Sequence, residues 1–113
     1  KVLGQPASVD SIPTSGNQED HVSMGSIAAR KAGTVIENVY WIIAAEILAA
    51  AHAMDYATHS PGRGARVARR LVSEVVPHWD SDRILYRGLE KVRHLLLSGT
   101  VTRKVEKEAG LLV

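Results

Sequence analysis

The sequence predicts an all-α protein, and three observations support this class. Apolar residues make up 45% of the 113 residues, whereas aromatic residues make up only 4% and Phe is absent. Ala, Val, Ile and Leu must therefore fill the interior, which favours closely packed helices. No segment shows the alternating pattern of a convincing strand. The stretch from residue 19 to residue 56 contains no Pro that would interrupt a helix.

The central element is a long helix expected over residues 19–57. Apolar residues recur along it at spacings of three and four, as one helical stripe: Ile36, Val39, Tyr40, Ile43, Ile47, Ala50 and Met54. Small side chains at other positions allow neighbouring helices to approach closely: Ala28, Ala32, Ala45, Ala49 and Ala53. A helix of about 38 residues extends roughly 57 Å, far beyond a compact domain roughly 35 Å across. Either Gly33 breaks it or other chains cover it, and the second reading, a multi-chain helical bundle, is favoured.

The segment before this helix, residues 1–18, is rich in Gly, Pro and Ser and predicts a loop. Ser15 and Gln18 have the spacing of a capping box. That cap would place Glu19 and Asp20 in the first helical turn, where the helix dipole favours anions.

Residues 58–113 predict three shorter helices. The first runs over 65–76 and stops at Pro77, the second over 80–97 starting at Asp80, and the third over 101–109. In the second, five side chains are expected to face inward: Leu85, Leu89, Val92, Leu95 and Leu96.

Charge and composition exclude several classes of function. Residues 58–113 carry eleven Lys and Arg against six Asp and Glu, and a cluster there suggests a nucleic-acid surface: Arg63, Arg66, Arg69 and Arg70. No aromatic residues interleave with these charges to stack on bases, so no nucleic-acid partner is expected. Residues 39–54 are apolar on nearly all sides, yet this stretch is too short and too polar to predict a membrane span. No membrane partner is expected.

Cysteine and histidine usage limits the chemistry further. The chain has no Cys, so it has no disulfide, and a cytoplasmic location is compatible with this. His52 and His59 are seven residues apart, and no second ligand pair follows at a usable spacing, so no metal is expected. The chain begins with Lys1, from which we expect a piece of a larger protein.

The candidate site lies at the junction of the loop and the long helix. Five successive positions, 17–21, bring together two amides, two carboxylates and an imidazole: Asn17, Gln18, Glu19, Asp20 and His21. Helix capping alone explains part of this pattern. The functional interpretation is a carboxylate that binds a polar or cationic substrate group or moves a proton. The other carboxylate, with His21, would brace the turn.

The same region resembles the C-terminal part of the aromatic amino acid ammonia-lyase and aminomutase family. Within that family, it is most similar to the members that act on histidine. The resemblance rests on residues 5–25, QPASVDSIPTSGNQEDHVSMG, and continues through 28–31 and 37–38. It weakens after Tyr56 but returns at 60–62, 82–83 and 97–99. It implies a helical enzyme built as a homotetramer, in which long helices of all subunits form a central bundle and each active site draws residues from three subunits.

The activity implied by the resemblance is the non-oxidative removal of ammonia from L-histidine, giving trans-urocanate. The implied electrophile is a methylidene-imidazolone group (MIO) formed from an Ala-Ser-Gly tripeptide. No Ala-Ser-Gly occurs in this chain, so the remaining N-terminal segment of the enzyme is an expected partner and the chain alone is expected to be inactive. By the same resemblance, Glu19 is the catalytic carboxylate and lies against the amino-acid substrate, and Gln18 lines the same pocket.

Two alternatives remain open at this point. A tyrosine or phenylalanine aminomutase or ammonia-lyase of the same family can share this run of residues. A catalytically silent helical assembly module would keep the scaffold without the chemistry, although such a module needs only a cap at Glu19.

Overall fold

The computed structural model describes residues 1–110, and its regular structure there is helical. Four helices follow one another: α1 (Gly25–Ala53), α2 (Arg63–Val75), α3 (Tyr86–Leu97) and α4 (Thr100–Ala109). Short 3₁₀ turns lie at Val2–Gly4, Ala7–Asp10, Ser15–Asn17 and Met54–Tyr56. The predicted all-α class, with one long helix and three shorter ones, is confirmed. The final part of the range expected to hold the shorter helices, 111–113, lies outside the described residues.

Helix α1 begins at Gly25, six positions later than predicted. The Ser15–Gln18 capping box does not form; instead, the Gln18 N–H donates to the Ser15 carbonyl within a 3₁₀ turn, at an N···O distance of 3.2 Å. Glu19 and Asp20 therefore precede the helix, whose first turn contains no acid. The reason is that the residues before Gly25 form hydrogen bonds with one another across a loop.

Gly33 does not break α1, which is continuous to Ala53. A Gly inside a helix costs only about 1 kcal/mol relative to Ala, mainly in backbone entropy. By length and composition alone, the stretch Gly25–Tyr56 is apolar enough to cross a membrane, contrary to the sequence expectation. The core helix of a soluble protein meets the same criterion of length and composition.

The chain divides into two compact units, Lys1–Val39 and Tyr40–Val113. The core of the second unit is built by one face of α1 together with α2 and α3. Its buried members are Ala44, Leu48, Ala51, Val72, Val76 and Val92. Gly88 lets α3 approach Val76 closely, since a Cβ at this glycine would lie 3.3 Å from a Val76 methyl group. A second cluster joins α2 to α4 through Val67, Leu71 and Val105.

The apolar stripe predicted along α1 differs from the face that is buried. Ala44, Leu48 and Ala51 are buried at spacings of four and three, as a helical face requires. Within the predicted stripe, Ile36 at 57% and Val39 at 43% are exposed, whereas Ile47 is half-buried and packs against the core. The predicted small-residue positions are exposed as well: Ala28, Ala32, Ala45, Ala49 and Ala53. In α3 the inward-facing prediction holds except at Leu85, which is exposed.

The ends of α2 and α3 follow from local chemistry. Helix α2 ends at Val75 because Val76 adopts an extended conformation (φ −130°, ψ 94°), which Pro77 favours in the residue before it. Helix α3 begins at Tyr86 rather than at Asp80. The Asp80 carboxylate accepts a hydrogen bond from His78 Nε2 at 2.7 Å, so it binds this imidazole and does not cap a helix.

Three of the four arginines that suggested a nucleic-acid surface form hydrogen bonds with other residues of this chain. Arg63 donates to the Glu108 carbonyl and Arg70 to the Glu108 carboxylate. Arg69 donates to Asp55. These bonds connect α2 to α4 and to the 3₁₀ turn after α1, which gives the cluster a role in holding the helices together.

Candidate functional site

The candidate site is a closed loop in the Lys1–Val39 unit, which we call the acidic loop (residues 11–22). Its two ends pair in antiparallel fashion through an isolated bridge between Pro13 and His21. The Val22 N–H donates to the Ile12 carbonyl at 3.1 Å, and the Ser11 hydroxyl donates to the Val22 carbonyl at 2.7 Å. These bonds close the loop immediately before α1 begins.

The tip of the acidic loop has an unusual backbone. Three successive residues adopt positive φ values, with Ser15 at 49°, Gly16 at 63° and Asn17 at 72°. Gly takes this conformation without a steric penalty and Asn tolerates it. Ser15 does not share these properties, and a left-handed L-residue costs about 1–2 kcal/mol. Strain of this kind is found preferentially at functional sites.

Glu19 lies on the exposed side of this loop, anchored at one oxygen. The Thr14 hydroxyl donates to Glu19 Oε2 at 3.0 Å, and the Glu19 N–H donates to the Thr14 carbonyl at 3.4 Å. Among residues 1–110, Thr14 is the one side-chain donor to this carboxylate. The remaining oxygen can accept a hydrogen bond from a ligand N–H or O–H, which is the chemistry expected of a substrate-binding carboxylate.

The neighbours of Glu19 have two roles: one is exposed beside it, and two contribute backbone contacts to the loop. Gln18 is exposed beside Glu19, so the structure places both predicted site residues on the same accessible stretch. Asp20 contributes to the turn through its carbonyl, which lies 3.4 Å from the Thr14 hydroxyl. His21 takes part in the backbone bridge to Pro13, so both residues contribute to the turn through backbone atoms, whereas the sequence suggested the Asp20 carboxylate.

A second polar cluster, which the sequence pattern did not reveal, lies in the Tyr40–Val113 unit. Asp55 is its centre: Arg69 donates to Oδ1 from Nε at 2.9 Å and from a second nitrogen. His78 Nδ1 lies 2.6 Å from Asp55 Oδ2, and His78 Nε2 lies 2.7 Å from Asp80 Oδ1. Together with His52, we call this group the His–Asp cluster (His52, Asp55, Arg69, His78 and Asp80).

The contacts within the His–Asp cluster shift its pKa values in opposite directions. Hydrogen bonds from Arg69 and then from His78 hold the pKa of Asp55 below its ordinary value. Hydrogen bonds to Asp80 and then to Asp55 raise the pKa of His78 above its ordinary value. Sequence reasoning missed the cluster because His78 is distant in sequence from His52 and Asp55. The one local signal was the spacing of His52 and Asp55, which are three residues apart in sequence. In a helix, this spacing places two side chains on one face.

Comparison with known proteins connects the acidic loop to a family. A model of the aromatic amino acid lyase family matches residues 1–75, which includes the whole loop. A histidine ammonia-lyase from Gloeobacter violaceus is 51% identical over 113 residues, covering 99% of this chain and 22% of the relative. One from Natranaerobius thermophilus is 49% identical over the same length. The chain thus spans about a fifth of the length of these curated relatives.

Solved structures agree at the level of the fold. The crystal structure of histidine ammonia-lyase from Trypanosoma cruzi matches with a TM-score of 0.84 at 43% identity, over 94% of this chain and 21% of that one. Tyrosine aminomutase from Streptomyces globisporus matches with a TM-score of 0.84 at 35% identity, over 95% and 21%. Since the family model covers most of the chain and the solved relatives share its fold, this chain belongs to the aromatic amino acid lyase family.

Proposed function

We propose that this chain is the C-terminal segment of a histidine ammonia-lyase, which converts L-histidine to trans-urocanate and ammonia. The observation that carries the proposal is the similarity to histidine ammonia-lyases along 99% of the chain, at 51% and 49% identity. The chain contributes the acidic loop, and the rest of the enzyme contributes the remaining pocket.

The role proposed for Glu19 follows from its geometry. One carboxylate oxygen is held by Thr14, which fixes the orientation of the group. The other oxygen accepts a hydrogen bond from the imidazole or the amino group of the substrate, a charge-assisted contact when that group is protonated. Gln18 lines the same pocket and offers both a donor and an acceptor. A carboxylate suits a polar, protonatable side chain better than an apolar aromatic ring.

The electrophile proposed for this reaction comes from outside the chain. The MIO group of the family supplies an electrophilic centre that engages the substrate while a base removes a β-proton. It forms from Ala-Ser-Gly, which this chain lacks, so none of its 113 residues supplies the group. The residues present are suited to binding and orienting the substrate, and the partner is the N-terminal remainder of the enzyme. A cytoplasmic location for the assembled enzyme is part of the proposal, and the absence of Cys is compatible with it.

The test is an activity assay of the complete enzyme with three substrates. With L-histidine we expect a rising urocanate absorbance and release of ammonia. With L-tyrosine and L-phenylalanine we expect no unsaturated acid and no β-amino acid. Formation of a β-amino acid from tyrosine or phenylalanine would identify an aminomutase, the second candidate, which the match to tyrosine aminomutase favours. A lack of turnover with all three would favour the silent assembly module.

We also propose that α1 contributes to the central bundle of a homotetramer. Large apolar side chains are exposed along it, including Ile36 at 57% and Ile42 at 58%. An apolar groove of about 310 Å³ also opens in the Tyr40–Val113 unit, between the second half of α1 and the start of α3. Exposed apolar surface of this extent is typical of an interface with other chains.

Replacing Ile42 with Asp is expected to weaken this assembly. If Ile42 is buried between helices, its substitution places an unpaired carboxylate in an apolar interface, which is strongly unfavourable. Native mass spectrometry of the complete enzyme should then show dimers or monomers in place of tetramers, whereas Ile42→Val should leave tetramers intact. Tetramers in equal proportion for both variants would show that this face lies outside the bundle.

A further inference from the structure

The His–Asp cluster brings three metal-binding side chains together. His52 lies near the end of α1, Asp55 in the 3₁₀ turn that follows, and His78 in the connection between α2 and α3. One potential ligand atom from each lies within 4.8 Å of the other two. All three belong to the Tyr40–Val113 unit. Two imidazoles and one carboxylate are ligands that Zn²⁺ accepts in protein sites.

The outer contacts of this cluster match those that orient metal ligands. A ligating His generally donates its second N–H to a carboxylate, and ligating carboxylates are themselves hydrogen-bonded. His78 has this arrangement, with Nε2 2.7 Å from Asp80 Oδ1 and Nδ1 directed at Asp55. Asp55 is held by Arg69 through Oδ1, which leaves Oδ2 directed at His78.

His52 provides an independent observation. Its Nδ1 atom is buried and has no hydrogen-bond partner among residues 1–110, although a buried polar atom without a partner is unfavourable. The ring stacks on Trp79, with centroids 3.9 Å apart and planes inclined by 3°, so its orientation is fixed. A cavity of about 10 Å³ is lined by all three candidate ligands, which is close to the space needed for one water molecule.

We propose that His52, Asp55 and His78 bind a divalent transition-metal ion, with Zn²⁺ as the best fit and a water molecule as the fourth ligand. Two imidazole nitrogens and one carboxylate oxygen favour Zn²⁺ or Co²⁺ over Mg²⁺, which prefers oxygen ligands. Once an ion has displaced the proton between His78 and Asp55, the carboxylates of Asp55 and Asp80 outweigh the one guanidinium and favour a cation.

Binding requires the three ligand atoms, which lie within 4.8 Å of one another, to adopt the spacing of a coordination sphere. Ligand atoms about 2.0 Å from a tetrahedral ion lie about 3.3 Å from one another. His78 and Asp55, now 2.6 Å apart, would separate slightly, while the His52 ring would slide toward them parallel to the Trp79 ring on which it stacks. The ion takes the place of the proton that His78 and Asp55 share. It would then join the end of α1 to the connection between α2 and α3, which is a structural role that the spacing of the histidines in the sequence did not predict.

The test is metal binding by the complete protein after treatment with EDTA and dialysis. Zn²⁺ and, separately, Co²⁺ are titrated by calorimetry, and the Co²⁺ sample is followed by visible absorption. The test variant is His52→Phe, which keeps an aromatic ring against Trp79 but removes both nitrogens. The matched control is His59→Phe, at an exposed histidine whose recorded side-chain contact is with Thr58.

The expected result is that the wild type and His59→Phe bind one more Zn²⁺ per chain than His52→Phe. Asp80→Asn keeps all three ligands but weakens the outer contact to His78 and removes one negative charge, so it should lower the Zn²⁺ affinity about 10–100-fold. Circular dichroism of each variant checks that it is folded. If His52→Phe does not fold, the Zn²⁺ affinity of Asp80→Asn is the test of the proposal. Equal stoichiometry and affinity in all folded variants, or no Zn²⁺ binding by the wild type, would overturn the proposal.

Discussion

Replacing Glu19 with Gln is expected to lower kcat/KM for L-histidine by on the order of 10²-fold or more, the size typical of a lost proton-handling or charge-assisted group. Gln keeps the shape and can still accept the hydrogen bond from Thr14, which lies 3.0 Å from Oε2 in the wild type. It removes the negative charge that a protonated substrate group would contact. Steady-state kinetics of the complete enzyme, read by urocanate absorbance, measure the effect.

The matched control for Glu19→Gln is Asp20→Asn, the same chemical change one residue further along. Asp20 supports the turn through its carbonyl, which the substitution retains, so activity should fall only slightly. Both positions are exposed, and the thermal stability of both variants should match the wild type. Unchanged turnover in Glu19→Gln would contradict the assignment of this carboxylate, and a large loss in Asp20→Asn alone would transfer the role to Asp20.

Truncating Leu48 to Ala is expected to lower the free energy of unfolding by about 2–5 kcal/mol. Leu48 is 4% exposed and lies in the core cluster that joins α1 to α2 and α3. A smaller side chain leaves a cavity there, because the surrounding helices close it only in part. Urea denaturation of the chain, followed by far-UV circular dichroism, gives the difference.

A matched control for the core substitution is Ile84→Ala, since Ile84 is 84% exposed. Its truncation removes little buried apolar surface, so the free energy of unfolding should change by less than about 0.5 kcal/mol. If both variants unfolded at the same urea concentration as the wild type, the helical core described for the Tyr40–Val113 unit would be wrong.

The helical class could be predicted from the sequence because the signals are strong and local. Pro77 and the turn at 98–100 separate α2, α3 and α4 close to their observed ends. The length of α1 could be predicted only in part. Its start is not predictable from local signals, because Glu19 and Asp20 are good first-turn residues, whereas the hydrogen bond from the Val22 N–H to the Ile12 carbonyl holds that stretch in a loop.

The buried face of α1 could not be predicted because apolar residues surround the helix on nearly all sides. Periodicity then identifies several stripes, and only the positions of α2 and α3 select the one containing Leu48. The two polar groups differ in the same way: one consists of residues adjacent in sequence, and the other is assembled by folding. Gln18 and Glu19 are neighbours in sequence and could be proposed together as candidates, whereas His78 comes within hydrogen-bond distance of Asp55 only after the chain has folded.

The closure of the acidic loop has a consequence for the entropy of catalysis. Its ends are paired through Ile12 and Val22, and the Glu19 carboxylate is anchored by Thr14, using bonds internal to the segment. Ordering a backbone residue costs about 1–2 kcal/mol, and here that loss is incurred when the segment folds. In the proposed site, a substrate would therefore meet a carboxylate that Thr14 already orients, and its binding energy would remain for the substrate's own orientation.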